Sequence, residues 1–202
     1  EGSISLAGDD ITRQSTRRRR EAGIGYIPED RHRRGLLLSS PLWENAMLGR
    51  QGVPPFSNHD ILTPAGARRA TQEIVQDYDV KTPGLDVPAL ALSGGNQQKF
   101  IVGREMSSDD LKLLVAAHPT RGIDVGAQAA VWDQLRRARQ EGLAVLLVSA
   151  DLEELIGLSD TLRVIYRGRL VATLDPATVT PADLGSYMTG VRTQEPAPQE
   201  AP

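Results

Sequence analysis

Two apolar segments separated by a helical segment constrain the fold of this chain most strongly. Residues 111–116 and 143–149 are strand-sized apolar runs, and residues 125–141 between them have the spacing of an amphipathic helix that Gly142 can end. Apolar strands that alternate with helices are typical of parallel βαβ units. The sequence therefore predicts an α/β fold with a mostly parallel sheet, in which the first run is a buried strand and the second another fully apolar one.

The rest of the chain fits this class. Ser15 and Thr16 can begin a short basic helix, Pro28 ends a strand at residues 24–27, and Arg167-Gly168 has the composition of a hairpin turn. The other predicted elements are a strand and turn at residues 3–10, helices at 41–48, 65–78, 96–106, 151–156 and 181–188, loops at 51–63 and 82–91, and hairpin strands at 162–166 and 169–173. Residues 191–202, rich in Pro and Glu, are predicted to be a disordered tail.

Composition excludes several classes of protein. The 202 residues contain no Cys, which excludes a disulfide scaffold and a Cys-ligated zinc site. No apolar run approaches the ~20 residues that cross a bilayer. A chain of this size can bury roughly 70% of its unfolded surface, enough for one domain. Because it begins with Glu1 and not Met, we expect it to be a piece of a longer gene product.

The run Arg17-Arg18-Arg19-Arg20 raises the question of nucleic-acid binding. The formal net charge of the chain is −3, and acidic residues follow the run closely. We therefore interpret the run as a solvated helix face and expect no nucleic-acid partner.

The segment most informative about chemistry is LSGGNQQK at residues 92–99, which we call the signature segment. A Ser and two Gly precede a helix there, so free backbone N–H groups and the positive end of the helix dipole point outward. Glycine permits close approach of a phosphate, and the Ser hydroxyl can donate to it. The alternative from these residues alone is an ordinary N-cap with a flexible lead-in.

The longer string resembles the signature motif of ABC ATPases, in the form found in the ATP-binding proteins of sugar and nucleoside importers. Three further segments follow that family's order and spacing. Residues 25–31 (GYIPEDR) resemble the Q-loop region of its second nucleotide-binding domain, residues 43–45 (WEN) the helix after it, and residues 119–126 (PTRGIDVG) the stretch joining Walker B to the D-loop. The resemblance covers residues 2–190.

The resemblance implies a P-loop NTPase-like fold with a helical subdomain over residues 36–106, in one partial nucleotide-binding domain at residues 1–190. The P-loop pattern itself occurs nowhere in the chain, so we expect the phosphate-gripping portion to precede Glu1. The chain would then be the C-terminal part of a second nucleotide-binding domain.

Several positions depart from the family pattern. Where the family has Asp for Mg²⁺ and Glu for the attacking water, this chain has Ala117 and His118; Ala150 replaces the switch histidine, and Glu29 stands at the Q-loop Gln position. Asp124 of the D-loop is retained. We expect no catalytic residue, no metal ligand and no bound nucleotide in this chain alone, with His118 a spectator; the alternative is that His118 accepts a proton.

The resemblance also implies partners. The four signature residues Ser93, Gly94, Gly95 and Asn96 would contact the γ-phosphate of ATP, with its Mg²⁺, held by a first nucleotide-binding domain of the same polypeptide. Asp124 would be a further cofactor-binding residue. Four residues would face a membrane permease at the inner face of the cell membrane: Glu29, Asp30, Trp43 and Glu44. The strings AAHPT and SAD look more like nucleoside-type than ribose-type importers. Two alternatives stay open, a domain that docks a permease without contacting nucleotide and an ABC protein acting on ribosomes or DNA.

Overall fold

A computed structural model describes residues 2–59 and 61–194, which divide into two compact units between residues 148 and 149. The helices of the first unit are α1 (Thr16–Glu21), α2 (Leu42–Ala46), α3 (Pro64–Asp77), α4 (Gly94–Met106) and α5 (Val125–Gln140), with a π-helical turn at Arg31–Gly35 and a 3₁₀ turn at Ala89–Ala91. Its strands are β1 (Ser5–Leu6), β2 (Asp9–Asp10), β3 (Ile24–Ile27), β4 (Ser57–Asn58), β5 (Ile61–Leu62), β6 (Leu113–Ala117) and β7 (Ala144–Val148). The second unit contains α6 (Leu152–Leu158), β8 (Leu162–Tyr166), β9 (Arg169–Leu174) and α7 (Pro181–Met188).

The centre of the first unit is a parallel sheet in the order β3-β6-β7, with Ile24 paired to Leu113 and Leu113 to Ala144. Helix α5 connects β6 to β7, which confirms the predicted βαβ unit. Helix α4 packs against β3, and its residues Phe100 and Ile101 are fully buried. None of the helices within the described ranges has the length and apolarity needed to cross a membrane.

Strand β7 is the edge of this sheet, and its environment differs from what its apolar composition indicates. Leu146 is 53% exposed and Val148 49% exposed, whereas Leu114 and Ala116 of the central strand β6 are fully buried. The apolar run therefore identifies a strand correctly, but one face of that strand is open to solvent in the first unit.

The prediction of a loop at residues 51–63 was incomplete. The strands β4 and β5 form a short antiparallel hairpin there, with Ser57 opposite Leu62. Phe56 is buried, and its carbonyl accepts the backbone N–H of Thr63 at 2.8 Å, which closes the hairpin. Two-residue strands are too short to show a period, so the sequence pattern could not reveal them.

The basic run on α1 has two different environments. Ser15 caps the helix as predicted, and Arg17 and Arg18 are exposed and pair with Glu21. The interpretation as a solvated face was wrong for the other two arginines, because Arg19 donates to two backbone carbonyls and Arg20 reaches a buried carboxylate. The partners of Arg19 are backbone carbonyls of the loop before α1, and that of Arg20 is 85 positions away, so the local charge pattern reports neither.

The second unit is a hairpin with two helices. Strands β8 and β9 pair through a turn at Arg167 and Gly168, both with positive φ, as the sequence predicted. Leu162, Val164 and Leu184 lie in its core. Within the predicted tail at residues 191–202, Gln194 pairs with β9 through its backbone and its side chain. The remainder, residues 195–202, lies outside the described part of the chain, and the boundaries 1–190 and 36–106 stay predictions.

Candidate functional site

The signature segment places an exposed hydroxyl at the start of a long helix. Ser93 is the N-cap of the 13-residue helix α4, and its Oγ accepts the backbone N–H of Asn96 at 3.4 Å and the Asn96 side-chain amide at 3.0 Å. Asn96 Oδ1 in turn accepts the backbone N–H of Lys81. The first N–H groups of a helix have no intrahelical acceptor, so this end of α4 is suited to an anionic oxygen.

The two signature glycines lie in close contact with their surroundings. A Cβ on Gly95 would lie 2.7 Å from the Cβ of Ala127 and 3.1 Å from a carboxylate oxygen of Asp124. Asp124 is the N-cap of α5 and accepts the Ala127 N–H at 2.9 Å. The structure thus brings Asp124 and the signature segment together, with the starts of α4 and α5 side by side.

Arg31 completes this corner of the site, and sequence reasoning did not single it out. Its Nη1 donates to the carbonyl of Arg121 at 2.9 Å and its Nη2 to the carbonyl of Gly122 at 3.1 Å. A Cβ on Gly94 would lie 2.8 Å from the same Nη2. The sequence signal for Arg31 was its position at the end of the Q-loop-like segment GYIPEDR, directly after Glu29-Asp30.

A cleft of about 560 Å³ opens beside Arg31. Glu29 and Arg121 form an exposed ion pair in its wall. The carboxylate of Asp30 caps the following turn by accepting the N–H groups of His32 and Arg33. Ala117 also lines the cleft.

The end of β6 offers no metal ligand at the position where the family pattern has Asp. Ala117 ends the strand, and His118 adopts a positive φ of 48° while its N–H donates to the carbonyl of Val148 at 2.8 Å. Among the residues that the structure describes, no group of three His, Asp or Glu could hold a metal ion. The side chain at the end of β6 therefore supplies no carboxylate for Mg²⁺ at this position. Ala150, exposed, belongs to the second unit.

Trp43 and Glu44 lie on α2 and are half-buried. The Arg68 guanidinium lies 5.1 Å from the centroid of the Trp43 ring and pairs with Asp86. The neighbouring Asn45, fully buried, holds the preceding loop by accepting the Leu37 N–H and donating to the Leu37 carbonyl.

The opposite end of α4 is held by a buried ionic cluster that the sequence did not predict. Glu105 Oε2 accepts from Arg20 at 2.8 Å and from the Tyr26 N–H at 3.0 Å, and Oε1 accepts from Arg104 at 2.9 Å. Arg104 also donates to the carbonyls of Gly35 and Asn45. Burial lowers the pKa of the Arg104 guanidinium, and the adjacent Glu105 carboxylate opposes that shift.

With this geometry in place, comparison with known proteins is direct. A dimeric structure of the ATP-binding cassette MJ0796 in a post-hydrolysis state, with ADP and Pi, matches with a TM-score of 0.71 over 87% of this chain and 74% of the cassette. A second dimeric structure, of the bacterial ABC transporter cassette MJ0796, matches with a TM-score of 0.70. At 16% identity these likenesses show the fold. The chain has the ABC cassette fold.

Curated relatives are much closer in sequence. The guanosine import ATP-binding protein NupO of Bacillus subtilis is 43% identical over 96% of this chain, and the nucleoside import ATP-binding protein NupA of Lactococcus lactis 41% identical over 94%. A ribose import ATP-binding protein, RbsA of Chelativorans, is 37% identical over 87%. The homologues of this chain are ATP-binding proteins of sugar and nucleoside ABC importers. The chain spans 38%, 37% and 34% of the length of these three relatives. No protein-family profile matches it.

Proposed function

We propose that this ABC cassette chain is part of the ATP-binding protein of an importer, and that its signature face contacts the γ-phosphate of ATP held by a partner domain. The observation that carries the proposal is the start of α4. Ser93 there is an exposed hydroxyl at a helix N-terminus, and Gly95 lies against Asp124 of the neighbouring helix. Exposed amides, a hydroxyl and the helix dipole together favour a phosphate oxygen.

The half-site built from this chain's own β6 is degenerate in this proposal. Phosphoryl transfer needs charge neutralisation by Mg²⁺ and a group that orients the attacking water. Ala117 has no side-chain oxygen to offer the metal, and the backbone of His118 beside it is hydrogen-bonded at both its N–H and its carbonyl. The chain therefore contributes binding groups to one ATP, with Mg²⁺, in the full-length assembly, and no catalytic residue of its own.

We further propose that the chain is the C-terminal part of a second nucleotide-binding domain, in one polypeptide with the first. Its coverage of 38% of NupO and the absence of a P-loop pattern from its sequence support this. The half-exposed Leu146 on one face of β7 is a further support, because an apolar face left open to solvent fits a partner or a further element that covers it.

The partner on the membrane side is a permease, and the transported solute is proposed to be a nucleoside. Glu29 and Asp30 are exposed beside the cleft, and Trp43 and Glu44 lie on α2 as further candidates for permease contact. The two nucleoside-import relatives are 43% and 41% identical, against 37% for the ribose-import relative. In this proposal the assembly lies on the cytoplasmic face of the membrane through its permease.

Substitution of Ser93 tests the signature role. In the full-length ATP-binding protein assembled with its permease, we expect Ser93→Ala and Ser93→Asp both to abolish nucleoside uptake and stimulated ATP hydrolysis. Ser93→Asp keeps an N-cap residue for α4 but places a negative charge toward the phosphate. It therefore separates loss of the phosphate contact from loss of the helix cap.

The matched control is Ser15→Ala, which removes the side-chain cap of α1. We expect it to leave uptake close to the unsubstituted level. Unchanged uptake in Ser93→Asp would contradict the proposal and favour a domain that docks a permease without touching nucleotide.

A further inference from the structure

The segment that carries Glu29 runs antiparallel to the signature helix and touches it at three levels. The N–H of Tyr26 donates to Glu105 at the C-terminal end of α4. Farther along, His32 Nε2 lies 2.9 Å from Oε1 of Gln97. Nη2 of Arg31 then lies against Gly94 at the N-terminal end. The segment thus contacts α4 from its C-terminal end to its start.

Two arginines cross-connect the loops at that end in a reciprocal arrangement. Arg31, from the Glu29 segment, donates to the carbonyls of Arg121 and Gly122. Arg121, from the opposite loop, pairs through its side chain with Glu29. We call these contacts the arginine clasp. It joins the cleft wall to the loop that leads to Asp124.

The arginine clasp includes one feature that costs folding free energy. Nε of Arg31 is buried and has no hydrogen-bond partner among the described residues. A buried unpaired donor costs about 1–3 kcal/mol, so such a group in a native structure calls for another explanation. The two Nη groups, by contrast, are directed to two successive carbonyls within 3.1 Å.

We propose that Arg31 is a positioning residue for the signature segment. Its guanidinium spaces Gly94 from the Arg121-Gly122 backbone, so that the starts of α4 and α5 meet the phosphate together. The planar fork allows two donors to hold two carbonyls at once, which the single ammonium of a lysine cannot do in one geometry. This inference rests on the proposed signature role, because it assigns the residue that orients that site.

The first arm of the test needs no nucleotide. In the full-length protein, amide hydrogen exchange is followed at Gln97 and Arg121, whose N–H groups bond to Ser93 and His118 carbonyls. We expect Arg31→Gln to accelerate exchange at both by about tenfold, since hydrogen bonds from a charged donor are lost. The exchange rates in Arg31→Lys should lie between those of the unsubstituted protein and those of Arg31→Gln. The matched control is Arg33→Gln, an exposed position in the same turn.

The second arm measures ATP hydrolysis by the assembled importer. Arg31→Gln should raise the KM for ATP by about tenfold or more, with a smaller effect on kcat, and Arg31→Lys should recover part of the loss. Arg33→Gln should match the unsubstituted protein.

Equal exchange in Arg31→Gln and Arg33→Gln would overturn the clasp. Accelerated exchange with an unchanged KM would overturn the positioning role. If the signature role itself is wrong, Ser93→Asp will still support nucleoside uptake and ATP hydrolysis. The exchange experiment does not depend on the signature role, so the two failures are distinguishable.

Discussion

The two ends of helix α4 are held in opposite ways. At the C-terminal end, Arg104 and Glu105 are almost completely buried, with side chains 4% and 2% exposed, and Arg20 closes the cluster. At the N-terminal end, the Glu29–Arg121 pair is 51% and 65% exposed. A charge removed from water must stay paired, whereas an exposed pair exchanges with water at little cost. The buried cluster is therefore an anchor, whereas the exposed Glu29–Arg121 pair adds little stability.

This difference matches the proposed roles of the ends. A contact with a phosphate from a partner domain needs exposed donors. The anchor at Glu105 holds the Tyr26 backbone on the other end of α4. The comparison teaches that one helix can be anchored by a buried ionic cluster at one end and present exposed donors at the other.

The largest expected effect breaks the anchor. Arg104→Ala removes one partner of the buried pair and two bonds to the Gly35 and Asn45 carbonyls. We expect it to lower the free energy of unfolding by about 3 kcal/mol or more. Urea unfolding followed by Trp fluorescence measures this, since both Trp residues, Trp43 and Trp132, lie in the first unit. A loss below about 1 kcal/mol would mean that the cluster is not an anchor.

The signature glycines give an intermediate effect that differs between neighbours. The added Cβ of Gly95→Ala meets Ala127 and Asp124, and overpacking of this kind costs roughly 1–3 kcal/mol. In Gly94→Ala the Cβ meets mainly the guanidinium of Arg31, whose bonds to the Arg121 and Gly122 carbonyls oppose its displacement, so we expect a smaller loss of about 1 kcal/mol or less. Equal losses for the two variants, in the same urea titration, would show that Arg31 is held as firmly as Ala127 on α5.

The smallest effect belongs to the exposed pair. Glu29→Gln removes the ion pair with Arg121 and should change the unfolding free energy by less than about 1 kcal/mol. High salt should reduce even that difference, because exposed charges are screened. Thermal unfolding at low and high ionic strength checks both statements. A large, salt-independent loss of unfolding free energy would show that Glu29 contributes to stability as strongly as the buried cluster at Glu105.

Local patterns predicted many of the helix starts in both units correctly. Ser15, Ser93, Asp124 and Asp151 all cap the helices that the sequence indicated. The reason is that an N-cap depends on residues within three positions of itself. The signature segment and its neighbour Asp124 were identified in the same way, from short motifs.

Contacts between distant residues were not predicted. Arg20 looked like one of four solvated arginines, yet its partner Glu105 is 85 positions away. The carbonyls bound by Arg31 are 90 and 91 positions away, and nothing local marks them. Strand β7 shows the same limit, because whether an apolar residue is covered depends on what packs beside it.

The sequence by itself determined the βαβ order, the helix starts and the hairpin turn of the second unit, since backbone preference and capping act over a few residues. Tertiary structure alone decided which charges are buried, which edge of the sheet is open and which arginine reaches the signature glycines. Those outcomes depend on the antiparallel course of residues 26–35 along α4, which brings side chains into contact that the sequence separates by many residues.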